Sequence, residues 1–215
     1  MPRSPRQPGR SSGGPAMPSR RGLTREIIVK TAADMQDQHP AQVLTLKDLA
    51  AALEVRTPSL YNHIDNLEEL RQEVAIYGAH ELADRLGSAA IGRAGDDALL
   101  AMSWAYRDFV TNRPGLHLAT QRAPRPDQEE LMAGAMRVLN MLHRVLEPYG
   151  LSEKEQIHAI RALRAMVHGF VSLEQAGGFG MPVDLDESFQ YLVEMFVAQV
   201  NNRQVSELPT SFKRR

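Results

Sequence analysis

The sequence predicts an all-α fold, and three observations carry that expectation. Apolar residues recur at three- and four-residue spacings through most of the chain, the interruptions are Pro and Gly clusters, and no stretch alternates apolar and polar with the period of a strand. With 215 residues, 43% of them hydrophobic, the chain can form a small module joined to a larger one. Cysteine is absent, which excludes disulfides, thiolate metal sites and cysteine nucleophiles. No apolar run approaches the roughly 18 residues of a membrane span, and the N-terminus lacks the apolar stretch of a secretory signal. The expectation is a soluble, cytoplasmic protein with no membrane partner.

Residues 1–22 are rich in Pro, Gly, Ser and Arg and contain no acid. They are expected to be disordered when free, either as an inert tail or as a basic arm that follows phosphates or enters a minor groove. The first helix is predicted over 24–37, with Ile27, Ile28, Thr31, Ala32 and Met35 on one face, and His39-Pro40 closing it. Thr45 is a natural cap for a second helix over 46–53, with Asp48 three residues on and the pair Leu44/Leu49 at hydrophobic-staple spacing. Thr57-Pro58 supplies a cap and a first-turn proline for a third helix over 58–64. Asn66, with Glu69 three residues later, opens a fourth over 67–86, followed by a loop from Gly87 to Gly95. Further helices are predicted over 96–112, 116–122, 127–147, 152–175 (capped by Ser152 with Glu155) and 184–201.

Two short helices joined by a tight turn fit a helix-turn-helix, in which the second helix enters a major groove and its N-terminal residues face base edges. The charge distribution agrees. Residues 1–65 hold nine basic and six acidic residues, net +3, and the remainder holds 16 and 20, net −4. A basic head on an acidic body is expected where only one part meets a polyanion. Lys47, Arg56, Thr57, Ser59 and Asn62 are side chains that can reach bases or phosphates.

The stretch LTLKDLAAALEVRTPSLYNHIDNLEEL, residues 44–70, resembles the DNA-binding domain of the TetR family of bacterial regulators, most of all at Pro58-Ser59-Leu60-Tyr61-Asn62-His63-Ile64. The resemblance covers residues 23–70. It implies that Tyr61, His63 and Thr45 hold the DNA backbone and that Thr57, Pro58, Ser59 and Asn62 fall where bases are read. One departure is Leu67, where many members carry a lysine; a phosphate contact is lost there, although the Asn66 cap leaves helix N–H groups nearby. The segment Val167-His168-Gly169-Phe170 is similar to a C-terminal subclass marked by Trp-His-Gly, with Val167 in the tryptophan position.

The resemblance also implies a homodimer formed by the last two helices and a small-molecule effector held in the body. Two apolar stripes fit the first implication: Leu163, Val167, Phe170 and Val171, and Phe189, Leu192, Val193, Phe196 and Val197. They serve a dimer interface or pack within one chain. For the effector, the helix over 127–147 is apolar on two faces. Its Met132, Met136, Leu139 and His143, with Met102, Trp104, Tyr106, Phe109, His117, Met166 and Phe170, either line an adaptable cavity or form solid core.

The expected organisation is therefore a basic arm (1–22), a helix-turn-helix DNA-binding domain (23–68), an effector-binding and dimerisation domain (69–201) and a flexible tail (202–215). Function follows as a sequence-specific transcriptional regulator that binds double-stranded DNA at a pseudo-palindromic operator, a repressor released by its effector. A helical interaction protein and a non-specific DNA binder are the alternatives. There is no phosphate-binding Gly loop, no His-Glu-x-x-His and no nucleophile elbow, and no two histidines stand four apart, so no catalytic residue, metal or cofactor is expected.

Overall fold

The computed structural model describes residues 22–40 and 42–202; the predicted arm and tail lie outside these except at their inner ends. Nine α-helices and one 3-10 turn occur among the described residues: α1 (Arg25–Gln38), α2 (Leu46–Ala52), α3 (Thr57–Leu60), α4 (Leu67–Ala90), α5 (Gly95–Asn112), α6 (Pro114–Ala119), α7 (Glu129–Leu146), the turn Glu147–Tyr149, α8 (Glu153–Gln175) and α9 (Leu185–Asn202). No strand occurs among them.

The local caps form as the side chains dictate. Thr45 Oγ1 accepts from the Asp48 N–H at 3.1 Å and Asn66 Oδ1 from the Glu69 N–H at 2.9 Å. Ser152 and Glu155 make a reciprocal capping box. The head is α1 to α3 with the first turns of α4, closed on Ile28, Ala32, Leu44, Leu49, Leu60, Ile64 and Leu70, all buried. Arg25 of α1 straps this head to α4 through Glu69 at 2.5 Å and Glu73 at 2.8 Å, and also donates to the His63 carbonyl at 3.3 Å.

Some boundaries differ from expectation. α3 is a single turn, with Arg56 rather than Thr57 at its cap and no side-chain cap bond; Thr57 and Pro58 are its first helical residues. Residues 61–63 form turns that feed the extended backbone of Asn66, which α4 requires. Glu54, between α2 and α3, has φ 55°, a left-handed conformation costly for a residue with a Cβ. α4 runs through Gly87 to Ala90, so the loop shrinks to Ile91–Ala94. Gly87 is a packing residue, since a Cβ there would lie 3.2 Å from Met141 Sδ. α6 begins at Pro114, two residues early, because its N-terminus is capped from far away by Asp37 of α1.

The body wraps α5 in α4, α6, α7, α8 and α9. The two terminal stripes turn inward. Leu163, Val167, Phe170, Val171, Phe189, Val193 and Phe196 are buried within the chain, and Leu192 and Val197 are half-buried. The residues predicted for a dimer face thus form intrachain core, because α5 inserts Trp104 and Arg107 between α8 and α9.

Candidate nucleic-acid interface and the seam behind it

α2, the turn and α3 offer one polar face. Thr45, Lys47, Arg56, Pro58, Tyr61 and Asn62 are exposed, and Thr57, Ser59 and His63 are half-buried, while the intervening Leu49, Ala50, Leu60 and Ile64 carry the core. All nine predicted contact residues are therefore brought to one end of the molecule. Lys47 and Arg56 make no ion pair among the described residues, so neither charge is committed elsewhere. Tyr61, 54% exposed, stands at the end of α3. Thr57, relieved of capping, keeps its hydroxyl free of hydrogen bonds within the described chain. Thr45 is different: its hydroxyl also donates to Asp48 Oδ2 at 2.7 Å, so a phosphate must compete with that carboxylate.

Behind this face, α1 meets α6 in a tight seam. Asp37 Oδ1 accepts from the Gly115 N–H at 2.8 Å and the Leu116 N–H at 3.1 Å. Arg113 lies 3.0 Å from Asp34 and 2.9 Å from Asp37. The Asp37 contact is off the hydrogen-bond line, and Asp37 Oδ2 and Arg113 Nε find no directional partner, so charge alone holds that pair. Burial pushes the Asp37 carboxyl up, against the pull of the Leu116 N–H and the Arg113 guanidinium. Gly115 leaves no slack: a Cβ would lie 2.4 Å from the Gln36 carbonyl carbon.

The expected effector residues scatter. Met102 and Phe109 are fully buried core, whereas Met136 is 43% exposed. Met132, Leu139 and Met166 are half-buried, and His143 Nδ1 is 2.6 Å from Gln156 Oε1. Trp104, Phe170 and Phe189 surround the guanidinium of Arg107 at 5.1, 5.5 and 4.9 Å from its Cζ, and Glu174 and Asp186 neutralise it at 2.5 and 2.8 Å. At Trp104 and Phe170 the space is thus filled by one of the chain's own side chains, as the solid-core alternative has it. Tyr106 packs edge-on against His117, and of the eleven predicted residues only His117 lines a described cavity.

Two cavities are described. A cleft of about 700 Å³ opens outside α4 and α5 and is crossed by the pairs of Arg85 with Glu81 and Asp108. A smaller cavity of about 320 Å³ lies beside α6, lined by Pro40, Val110, Pro114, His117, Leu118, Gln121, His168, Ser172 and Gln175. Sequence reasoning missed Asp37, Arg113, Gln121 and Arg107, each of which has a partner 47 to 79 residues away, and it placed His168 only within a motif. No group of three or more metal-ligating His, Cys, Asp or Glu side chains occurs among the described residues.

A helix-turn-helix head whose polar face is free, fixed to a larger helical body, defines a DNA-binding regulator. Residues 99–196 match the family model described as tetracyclin repressor-like, C-terminal domain. The uncharacterized HTH-type transcriptional regulator YobS of Bacillus subtilis (strain 168) is 33% identical over 192 residues, 88% of this chain and 100% of that protein. The uncharacterized HTH-type transcriptional regulator Rv0681 of Mycobacterium tuberculosis (strain H37Rv) is 34% identical over 207 residues, 94% of each chain. Among solved structures, a variant of TetR from Acinetobacter baumannii AYE in complex with minocycline superposes with a TM-score of 0.62 at 21% identity, over 86% of this chain and 99% of that one. The chain belongs to the TetR family of helix-turn-helix transcriptional regulators. It is a DNA-binding transcriptional regulator, and no described helix is long and apolar enough to cross a membrane.

Proposed function

We propose that this regulator is a homodimeric repressor that grips a pseudo-palindromic operator and leaves it when a small molecule binds the body. The observation that carries the reading is the seam: Asp37, Arg113 and Gly115 hold α1 against α6 without slack, so the attitude of the head follows the body. A ligand that favours a second body shape then lowers DNA affinity in proportion to its preference for that shape, and a coupling of about 1–3 kcal/mol gives roughly 5- to 150-fold release. On the DNA, Thr57, Pro58, Ser59 and Asn62 face bases, and Thr45, Lys47, Arg56, Tyr61 and His63 hold phosphates.

The dimer uses the outer faces of α8 and α9, opposite the buried stripes. Leu173, Tyr191 and Met195 are exposed there. Gly169 stands mid-helix, where glycine costs about 1 kcal/mol relative to alanine, yet a Cβ would meet nothing within the chain. A second copy supplies the missing reason, since a bare backbone lets two helices approach closely. In such a dimer the two heads span successive major grooves about 34–36 Å apart. The arm, residues 1–22, adds sequence-independent phosphate contacts. Selection of bound sequences from random duplex DNA at physiological salt tests the reading. An inverted repeat is expected; recovery of no motif, with binding that vanishes as salt rises, would reduce the face to a non-specific patch.

A further inference from the structure

The cavity beside α6 differs from an ordinary packing defect in its location and in its chemistry. Pro40, just past α1 in the head, and Pro114, the first residue of α6 in the body, both line it, so it straddles the seam. Anything that enters sits between the two elements that Asp37 and Gly115 hold in register. Pro40, Val110, Pro114 and Leu118 give it apolar walls, Ser172 and Gln175 add neutral polar groups, and no Asp, Glu, Lys or Arg is among its lining residues. At about 320 Å³ it falls at the small end of the roughly 300–1,000 Å³ that small-molecule pockets occupy.

Its polar corner is an unresolved hydrogen-bond triangle. His117 Nε2, His168 Nδ1 and Gln121 Nε2 lie 3.0, 2.6 and 3.3 Å apart, each within reach of both others. A ring nitrogen donates or accepts, and an amide end donates or accepts, whichever way the amide is turned. With two roles shared among three groups, one edge of the triangle always sets like against like. His117 Nδ1 is also buried without a partner, in a ring only 5% exposed. Burial, followed by the neighbouring His168 and Arg164, lowers the His117 pKa to about 4, so the ring is neutral at neutral pH. Arg164 is not a lining residue and turns toward the Gln121 carbonyl at 3.3 Å. A cluster of this kind is relieved by a guest group that both donates and accepts, such as a carboxamide or hydroxyl, whereas a bare charge in the same place finds no counter-charge on the walls.

We propose that this cavity binds an uncharged, largely apolar molecule of one or two fused rings carrying a donor–acceptor group, and that His117, His168 and Gln121 read that group. The assignment rests on the effector reading above and names the site and the ligand class. A ligand there parts Pro40 from Pro114 and acts on the head directly, without passing a signal through the length of the body.

Three probes on one ring system test it: 2-naphthamide (uncharged), 2-naphthoate (anionic) and 2-naphthylmethylammonium (cationic). Each is titrated into the full chain at pH 7.5, followed by calorimetry and by the histidine ring signals in 15N NMR. 2-Naphthamide is expected to bind at least about tenfold more tightly than either ion and to shift the His117 and His168 signals. Leu118→Trp fills the cavity from a position 54% exposed, so it should abolish binding with an unchanged melting temperature even if His117→Phe fails to fold. Undisturbed ring signals with all three probes, preference for an ion, or full binding by Leu118→Trp would each overturn the assignment. Binding of 2-naphthamide with unchanged affinity for the selected operator would leave the site standing and remove ligand-induced release instead.

Discussion

The reading face on α2 and α3 lies within the head, the seam between α1 and α6 joins that head to the body, and the two are built on opposite plans. On the face, Lys47, Arg56 and Tyr61 have no intrachain work, and the caps come from residues three positions away. At the seam, every strong group is engaged with a partner about 78 residues distant, and the backbones touch at Gly115. Stability and binding are therefore separable: substitutions at the seam should move folding, and substitutions on the face should move DNA affinity alone.

The harshest test of that separation is Gly115→Ala. The added methyl meets Gln36 backbone, which cannot swing away as a side chain can, so the seam must open. A loss of about 3 kcal/mol in urea unfolding is expected, at the upper end of the usual overpacking cost. An unchanged midpoint would mean that the head is not clamped. Next comes acid. With the His117 pKa near 4 in the folded chain and about 6.5 when unfolded, the ring has no effect on stability above pH 6.5. As the pH falls from 6.5 toward 4, the unfolded chain takes a proton that the folded chain refuses, and up to about 3 kcal/mol is lost. Chemical unfolding of the wild type and His117→Phe across that range should show a shallower acid slope in the variant; parallel slopes would move the titration elsewhere.

On the face, Tyr61→Phe should weaken operator binding about tenfold, the worth of one hydrogen bond to a charged group, and leave the melting temperature unchanged. Equal affinity by fluorescence anisotropy would remove Tyr61 from the phosphate contacts. The smallest effect is expected in the turn between the two helices. Glu54→Gly relieves a left-handed conformation at the price of a more flexible unfolded chain, for a net gain of about 0.5–1 kcal/mol with operator affinity intact. A loss of stability in thermal melts would show that the Glu54 side chain holds something beyond its own backbone.

The same contrast explains what could be read from the sequence. Thr45, Asn66 and Ser152 announce their helices because a cap and the N–H it satisfies are three residues apart. The left-handed turn gave no such sign, since Glu stands where the conformation favours Gly. α6 began early because its cap, Asp37, belongs to another helix. The stripes of α8 and α9 had the right period, but period fixes only that a face is buried and not what buries it; α5 does so, through Trp104 and Arg107. The cavity residues were hidden for a related reason: His117 and Gln121 are one helical turn apart, but His168, which completes their cluster, is 51 residues from His117.

α4 has a practical consequence for anyone who wishes to move this head onto another protein. The helix is a single piece of 24 residues from Leu67 to Ala90 and supplies Leu70 and Val74 to the hydrophobic core and Glu69 and Glu73 to Arg25. A cut at 68 would remove all four from the head and leave Arg25 without its carboxylates. Chimeras that transplant the reading face should instead be joined at Ile91–Ala94, the first break in the chain after the head's own contacts end, and should carry the α6 N-terminus with them as a grafted brace.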